Sequence, residues 1–323
     1  MRFASFEHRH RPRVAVVEED GTLYRLPGVT SLTELLREVG GLQGLLAAGA
    51  TALDVPPGPH VSQVRLLPPL QPSSIRDFVT FEEHVEGVRR AVDGVAGVPE
   101  QWYAAPTFYF TNPHAVYGPH DTVPMPPGSS ALDFELEVGA VIGREGRDLT
   151  PDRARDHIVG YTVFNDWSAR DLQSAEMKVG LGPCKGKDTA TTLGPYLVTA
   201  DELEPYRDAE GLLRLALTAE VNGEVIGKDL LSNMSWTFEE MAAYASRGTR
   251  VVPGDVLGSG TCGNGGCLAE LWGLRGEQTP PPLKPGDTVS LTVEGVGTLN
   301  STVVSGVVPL PLPAGRRRDR ERP

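Results

Sequence analysis

Apolar and acidic residues alternate without a break through Leu132-Asp133-Phe134-Glu135-Leu136-Glu137-Val138, the period-two pattern of a half-buried strand. Leu132, Phe134, Leu136 and Val138 take the core face, while Glu135 and Glu137 share the other with Asp133 at its rim. Ser290-Leu291-Thr292-Val293-Glu294 alternates in the same way. Two hairpins are marked by their turns. Asp20-Gly21 lies between the apolar runs at 13–17 and 22–24, and Asn222-Gly223 lies inside Val221-Asn222-Gly223-Glu224-Val225. Two helices are marked by their starts. Ser31 with Glu34 precedes Leu32, Leu35, Leu36 and Val39, and Thr237 with Glu240 opens a helix through about Ser246 that stops at Gly248. After the strand-like Ile158-Val159-Gly160-Tyr161-Thr162-Val163, a helix beginning near Asp166 puts Asp166, Arg170 and Gln173 on one stripe.

The spacing of prolines divides the chain. Pro56-Pro57-Gly58-Pro59 and Leu67-Pro68-Pro69 read as a linker. It separates a small α+β domain over 1–68 from a strand-rich domain over 69–308, and residues 309–323 form a charged tail expected to be disordered. A length of 323 residues accommodates this plan. The net charge of -12 argues against nucleic acid or an anionic membrane as the main partner. No apolar run suffices to span a bilayer, and the first eight residues lack the apolar core of a signal peptide, so a cytoplasmic protein is expected. Cys184, Cys262 and Cys267 are too few for a disulfide framework and have no partner pair for zinc. They read as small buried residues, with Cys184 nearest the chemistry. The glycine-rich run 258–266 makes a poor phosphate cradle, since no lysine and no helical pattern follows it.

Glu135 and Glu137 side by side raise each other's pKa. Either that face is solvated, or a hard divalent cation, which prefers oxygen ligands, removes the conflict. Asp166 adds a third carboxylate from the strand-to-helix junction, and Lys187 follows in Gly182-Pro183-Cys184-Lys185-Gly186-Lys187. Upstream, Asp77-Phe78-Val79-Thr80-Phe81-Glu82-Glu83-His84 supplies another acid and a histidine; Asp77 also suits a helix N-cap.

The ordered set of Asp77 with His84, Glu135-Leu136-Glu137, Asp166-Trp167-Ser168-Ala169-Arg170-Asp171-Leu172-Gln173 and Gly186-Lys187 resembles the fumarylacetoacetate hydrolase superfamily. The resemblance spans roughly residues 70–308. It implies an α+β, strand-dominated fold, a mixed β-sandwich roll with a small N-terminal domain, pairing as a homodimer. It further implies Mg2+ (or Ca2+ or Mn2+) held by Glu135, Glu137 and Asp166, with Asp77 as a fourth ligand. A small keto-acid substrate would meet Arg170, Gln173, Lys187 and Thr261, with Thr191 near the metal. His84 becomes the general base, its ordinary pKa of about 6.5 suiting proton removal from water. Glu270 orients it, although Glu83 and Glu86 are nearer in sequence. Lys187 holds the developing oxyanion. Val79 and Met177 stand where the name-giving enzyme has tyrosines, so fumarylacetoacetate itself is not the expected substrate.

The expected activity is metal-dependent hydrolysis of a carbon–carbon bond in a β-diketone or acylpyruvate-like acid, the metal acting as a Lewis acid. An isomerase or decarboxylase of a 2-oxo or 2-hydroxydienoate acid comes second, and a non-catalytic, metal-dependent binder of organic acids third. The pairing of His84 with Glu270 favours hydrolysis.

Overall fold

The computed structural model describes residues 1–318, so the last five residues of the expected disordered tail lie outside the described residues. Residues 309–318 are exposed and carry no regular structure. One large sheet organises the chain. Across it run Leu23–Arg25, Arg11–Val17, Arg2–His8, Thr191–Thr199, Ile158–Asp166, Leu136–Ile142, Asp255–Gly258, Ser74–Phe78 and Phe108–Thr111. Most neighbours are antiparallel; Asp255–Gly258 and Ser74–Phe78 pair in parallel, so the sheet is mixed. A second sheet is formed by Glu224–Leu230, Ala216–Val221, Thr288–Val293, Gly297–Val304 and Thr122–Pro124.

The central strands are buried on both faces, which corrects the half-buried reading of the Glu135–Glu137 run. Leu136, Val138, Ala140 and Ile142 pack with Leu217, Ala219, Leu291 and Val293 of the second sheet. Val141, Val159, Phe164 and Leu193 pack instead with Leu32, Leu35, Leu36 and Leu45 of the two N-terminal helices. With both faces covered, alternation no longer separates inside from outside. The run is also two strands. Leu132–Asp133 pairs with Ser168–Ala169, and only Leu136–Ile142 joins the large sheet. The first 68 residues continue that sheet, since Arg2 and Phe3 pair with Val198 and Leu197.

Local signals hold where the turn or cap is itself the structure. Asn222 and Gly223 both adopt positive φ between Val221 and Glu224, as a two-residue hairpin with the native twist requires. Thr237 and Glu240 form a reciprocal capping box on the helix Phe238–Ser246. Ser31 Oγ accepts from Glu34 N on Leu32–Val39, which ends at left-handed Gly40. The helix expected from Asp166 begins later, at Arg170–Met177. Asp166 is instead the last residue of its strand, opposite Thr191, and Ser168 and Ala169 stay extended against Asp133 and Leu132. Strand pairing has overridden the helical spacing, so Asp166, Arg170 and Gln173 do not share a stripe.

Candidate active site

Asp77, Glu135 and Glu137 meet at the end of the central strands, each almost fully buried, with one oxygen of each within 4.8 Å of the others. Sheet register brings them together. Gly258 pairs with Gly139 on one side and Asp77 on the other. A Cβ on Gly258 would lie 2.6 Å from Asp77 Oδ1 and 2.8 Å from Glu137 Oε2, so only glycine leaves that space to the carboxylates. Glu137 is held by Gly260 N at 3.0 Å and by Thr261 Oγ1 at 3.4 Å. Glu135 N donates to Asn165 Oδ1 (2.9 Å), and Asp166 N donates to Glu135 O (3.3 Å).

Donors and carboxylates then alternate in a buried chain. Tyr109 faces Asp77 across the register, and its hydroxyl lies 2.7 Å from Asp77 Oδ2 and also contacts Asp166 Oδ2. Lys187 Nζ bonds Asp166 Oδ2 at 2.7 Å and Glu135 Oε2. Arg170 Nη2 lies 2.7 Å from Glu135 Oε1 and 2.7 Å from Asp133 Oδ2, and its Nη1 donates to Gln173 Oε1 (3.1 Å). Sequence reasoning missed Tyr109. Its strand, Phe108–Thr111, was visible as an aromatic run, but only the pairing of Tyr109 with Asp77 points the phenol inward.

The charges are uneven along this chain. Burial pushes Asp77 and Glu137 well above the ordinary carboxylate range; the charge of Asp166 raises Asp77 further while its contact with Glu137 lowers it, and the charge of Asp77 raises Glu137. Burial also raises Asp166, with Lys187 working against it. Glu135 is held below that range: burial would raise it, but Lys187 and Arg170 beside it more than reverse the effect. Burial by itself would lower Lys187, yet Asp166 and Glu135 keep it raised and charged.

The donor set therefore fits a hard divalent cation. The three clustered ligands are all carboxylate oxygens, and Asp77 Oδ1 and Asp166 Oδ1 have no hydrogen-bond partner among the described residues. The cluster of three includes Asp77, which is a strand residue and not a helix cap. Asp166 stands beside it, joined through Tyr109 and Lys187.

Two helices bring up the histidine. His84 lies on Glu82–Asp93 and Glu270 on Leu268–Arg275, a helix that does follow the glycine-rich run, contrary to expectation. The helices touch through glycine: a Cβ on Gly87 would stand 2.6 Å from Glu270 Cγ, and one on Gly273 would stand 2.0 Å from Gly87 O. His84 Nδ1 is 3.9 Å from Glu270 Oε2 and 3.7 Å from Cys267 Sγ. Glu270 Oε1 accepts from Gly265 N at 3.1 Å, while Oε2 has no hydrogen-bond partner among the described residues. Burial lowers His84 to about 4 and raises Glu270 to about 7, so the two are not charged together and form no ion pair. Glu83 is exposed and Glu86 binds Arg90 at the surface, so neither takes the orienting position.

Two further expectations change. Asp133 is fully buried, not at a rim. Cys184 is exposed, and the cysteine beside the histidine is Cys267. Met177 is half exposed and the Val79 carbonyl accepts from Trp102 Nε1, so neither position brings a phenol to the carboxylates, while Tyr109 does. A cleft of about 510 Å3 lies elsewhere, lined by Gly41, Arg144, Arg155 and Arg207. A smaller one of about 210 Å3, lined by Ala131, Arg170, Ala269 and Trp272, reaches Arg170 from outside.

Known proteins resemble this chain in sequence and in fold. The chain is 28% identical to the oxaloacetate tautomerase YisK of Bacillus subtilis, over 75% of this chain and 74% of that protein. It superposes on the fumarylacetoacetate hydrolase of Exiguobacterium antarcticum with a TM-score of 0.72 at 26% identity, covering 94% and 99% of the two chains. It also superposes on the 5-carboxymethyl-2-hydroxymuconate delta-isomerase of Mycobacterium smegmatis, with a TM-score of 0.66 at 26% identity, covering 94% and 100%. The family model of the fumarylacetoacetate hydrolase C-terminal domain matches residues 73–304, a span that contains every carboxylate of the cluster together with His84, Lys187 and Glu270. Fold, ordered motifs and matched span agree: the chain belongs to the fumarylacetoacetate hydrolase family.

Proposed function

We propose that this protein hydrolyses a carbon–carbon bond in a small β-diketone or acylpyruvate-like acid. The observation that carries the reading is the neutral imidazole of His84, turned by its Nδ1 edge toward Glu270 and within the field of Glu135, Arg170 and Lys187. With the ring proton on Nδ1, Nε2 offers a lone pair to a water molecule. The resulting hydroxide adds to a carbonyl carbon. The bond to the neighbouring carbon then breaks with its electron pair passing to that carbon as an enolate, and the imidazolium returns the proton. Lys187 and Arg170 supply fixed positive charge where the enolate oxygen develops, both from buried positions. Asp77, Glu135 and Glu137, with Asp166 beside them, would hold a divalent cation (Mg2+, Mn2+ or Ca2+), which when bound would supply Lewis acidity.

The tautomerase and the isomerase among the relatives favour a second reading, enolisation of a 2-oxo acid at the same carboxylates without attack by water. Turnover of a panel of acylpyruvates and dienoates with Mg2+ in ¹⁸O-labelled water, read by mass spectrometry, separates the two. Hydrolysis places label in a new carboxylate. A product of unchanged mass, or release of carbon dioxide, replaces the hydrolase with an isomerase or a decarboxylase.

A further inference from the structure

Asp133 has no part in the chemistry above, yet it is fully buried, a costly place for a carboxylate unless its oxygens are well bonded. They are. Oδ1 accepts from Phe134 N and from Leu268 N, both at 2.8 Å. Oδ2 accepts from Ala269 N at 3.0 Å and from Arg170 Nε at 2.8 Å, with Arg170 Nη2 at 2.7 Å. Leu268 and Ala269 open the helix Leu268–Arg275, where backbone N–H groups have no acceptor within the helix and favour negative charge. The next residue is Glu270. Arg170 reaches onward to Glu135 with the same Nη2. Asp133 is itself anchored by pairing with Ser168 and by the bond from Leu283 N to Leu132 O at 2.8 Å.

We infer that Asp133 is a positioning residue serving both halves of the site: one buried carboxylate aims Arg170 at Glu135 and fixes the helical turn that presents Glu270 to His84. What those two groups do rests on the proposed hydrolase; where they are held does not. Asparagine keeps the shape but turns an NH2 toward donors, so one of the two attachments fails.

Asp133→Asn is expected to lower kcat about ten- to a hundredfold, as loss of a supporting bond typically does. It should also raise KM, so that one change reproduces the kcat defect of Glu270→Gln together with the KM defect of Arg170→Gln. Combined with either, it should add less than the product of the separate effects. Asp255→Asn is the control. It removes an equally buried carboxylate, bonded to Arg76 at 3.0 Å, and should lower Tm with kcat and KM unchanged. Two measurements need no substrate. In the unmodified protein, the Leu268 and Ala269 amides should exchange about tenfold or more slowly than unbonded first-turn amides. The ring ¹⁵N resonances of His84 should move in Asp133→Asn and stay in Asp255→Asn. Unprotected amides, unchanged kinetics in Asp133→Asn, or the same kinetic defect in Asp255→Asn would each overturn the inference. Should the unmodified protein turn over no acylpyruvate, the proposed hydrolase fails, while exchange and ring resonances still decide the role of Asp133. Should Asp133→Asn not fold, the exchange measurement decides alone.

Discussion

His84 and Glu270 are buried residues whose ordinary charges are suppressed, and the consequence is a pH profile. His84 stays neutral down to about 4, so the group that titrates near neutrality is Glu270, at about 7. Above that value the carboxylate can stabilise an imidazolium; below it, a protonated Glu270 cannot. The value of kcat/KM is therefore expected to rise through about pH 7 to a plateau, and Glu270→Gln should flatten that limb. His84→Ala should lose roughly 10²–10⁴-fold in turnover, measured on the same substrate. Retention of the wild-type rate would remove His84 from the reaction. Glu137 makes the opposite kind of case. Its folded pKa lies above the unfolded one, so its contribution to the stability of metal-free protein is complete below about pH 4 and is lost as pH rises through the folded value. Urea melts at pH 5 and pH 8 should show the metal-free protein weaker at pH 8, with Mg2+ restoring it. Glu137→Gln should flatten the pH dependence and abolish the restoration.

At the scale of elements, the site depends on close approaches that only glycine permits. Gly87 is where the His84 helix crosses the Glu270 helix, with no room for a methyl group at 2.6 Å from Glu270 Cγ. Gly87→Ala is expected to destabilise by about 1–3 kcal/mol, as overpacking does, and to lower kcat by moving the two helices apart. Gly94 ends the same helix in a left-handed turn with open space around it, so Gly94→Ala should cost stability through its backbone alone and leave kcat unchanged. Calorimetry and steady-state rates on the two variants test the distinction. Equal kcat in both would show that the crossing does not set the dyad.

For the whole molecule, the N-terminal strands lengthen the sheet that bears the carboxylates, and Phe3 packs in one core with Val141 and Leu193. Removing residues 1–68 should therefore unfold the remainder, a result that far-UV circular dichroism would reveal. Among the described residues no helix is long and apolar enough to cross a membrane. A homodimer is expected from the family resemblance, and light scattering that gave only monomer at working concentration would refute it.

Near neighbours in the sequence determined much of the fold. The Asn222-Gly223 hairpin and the Thr237 capping box needed only local chemistry to be read, because a turn or cap is completed within a few residues, whereas the acids from Asp77 to Asp166 were legible as one set, with Lys187, only through their resemblance to a family. Tertiary structure decided the rest. It set Asp77 against Glu137 across Gly258, brought Tyr109 between Asp77 and Asp166, kept Asp166 on a strand, and buried Asp133 beneath the Glu270 helix. Each of these outcomes depends on which strand lies beside which and in what register. That choice follows from burying both faces of the central sheet, and no local window of sequence contains it.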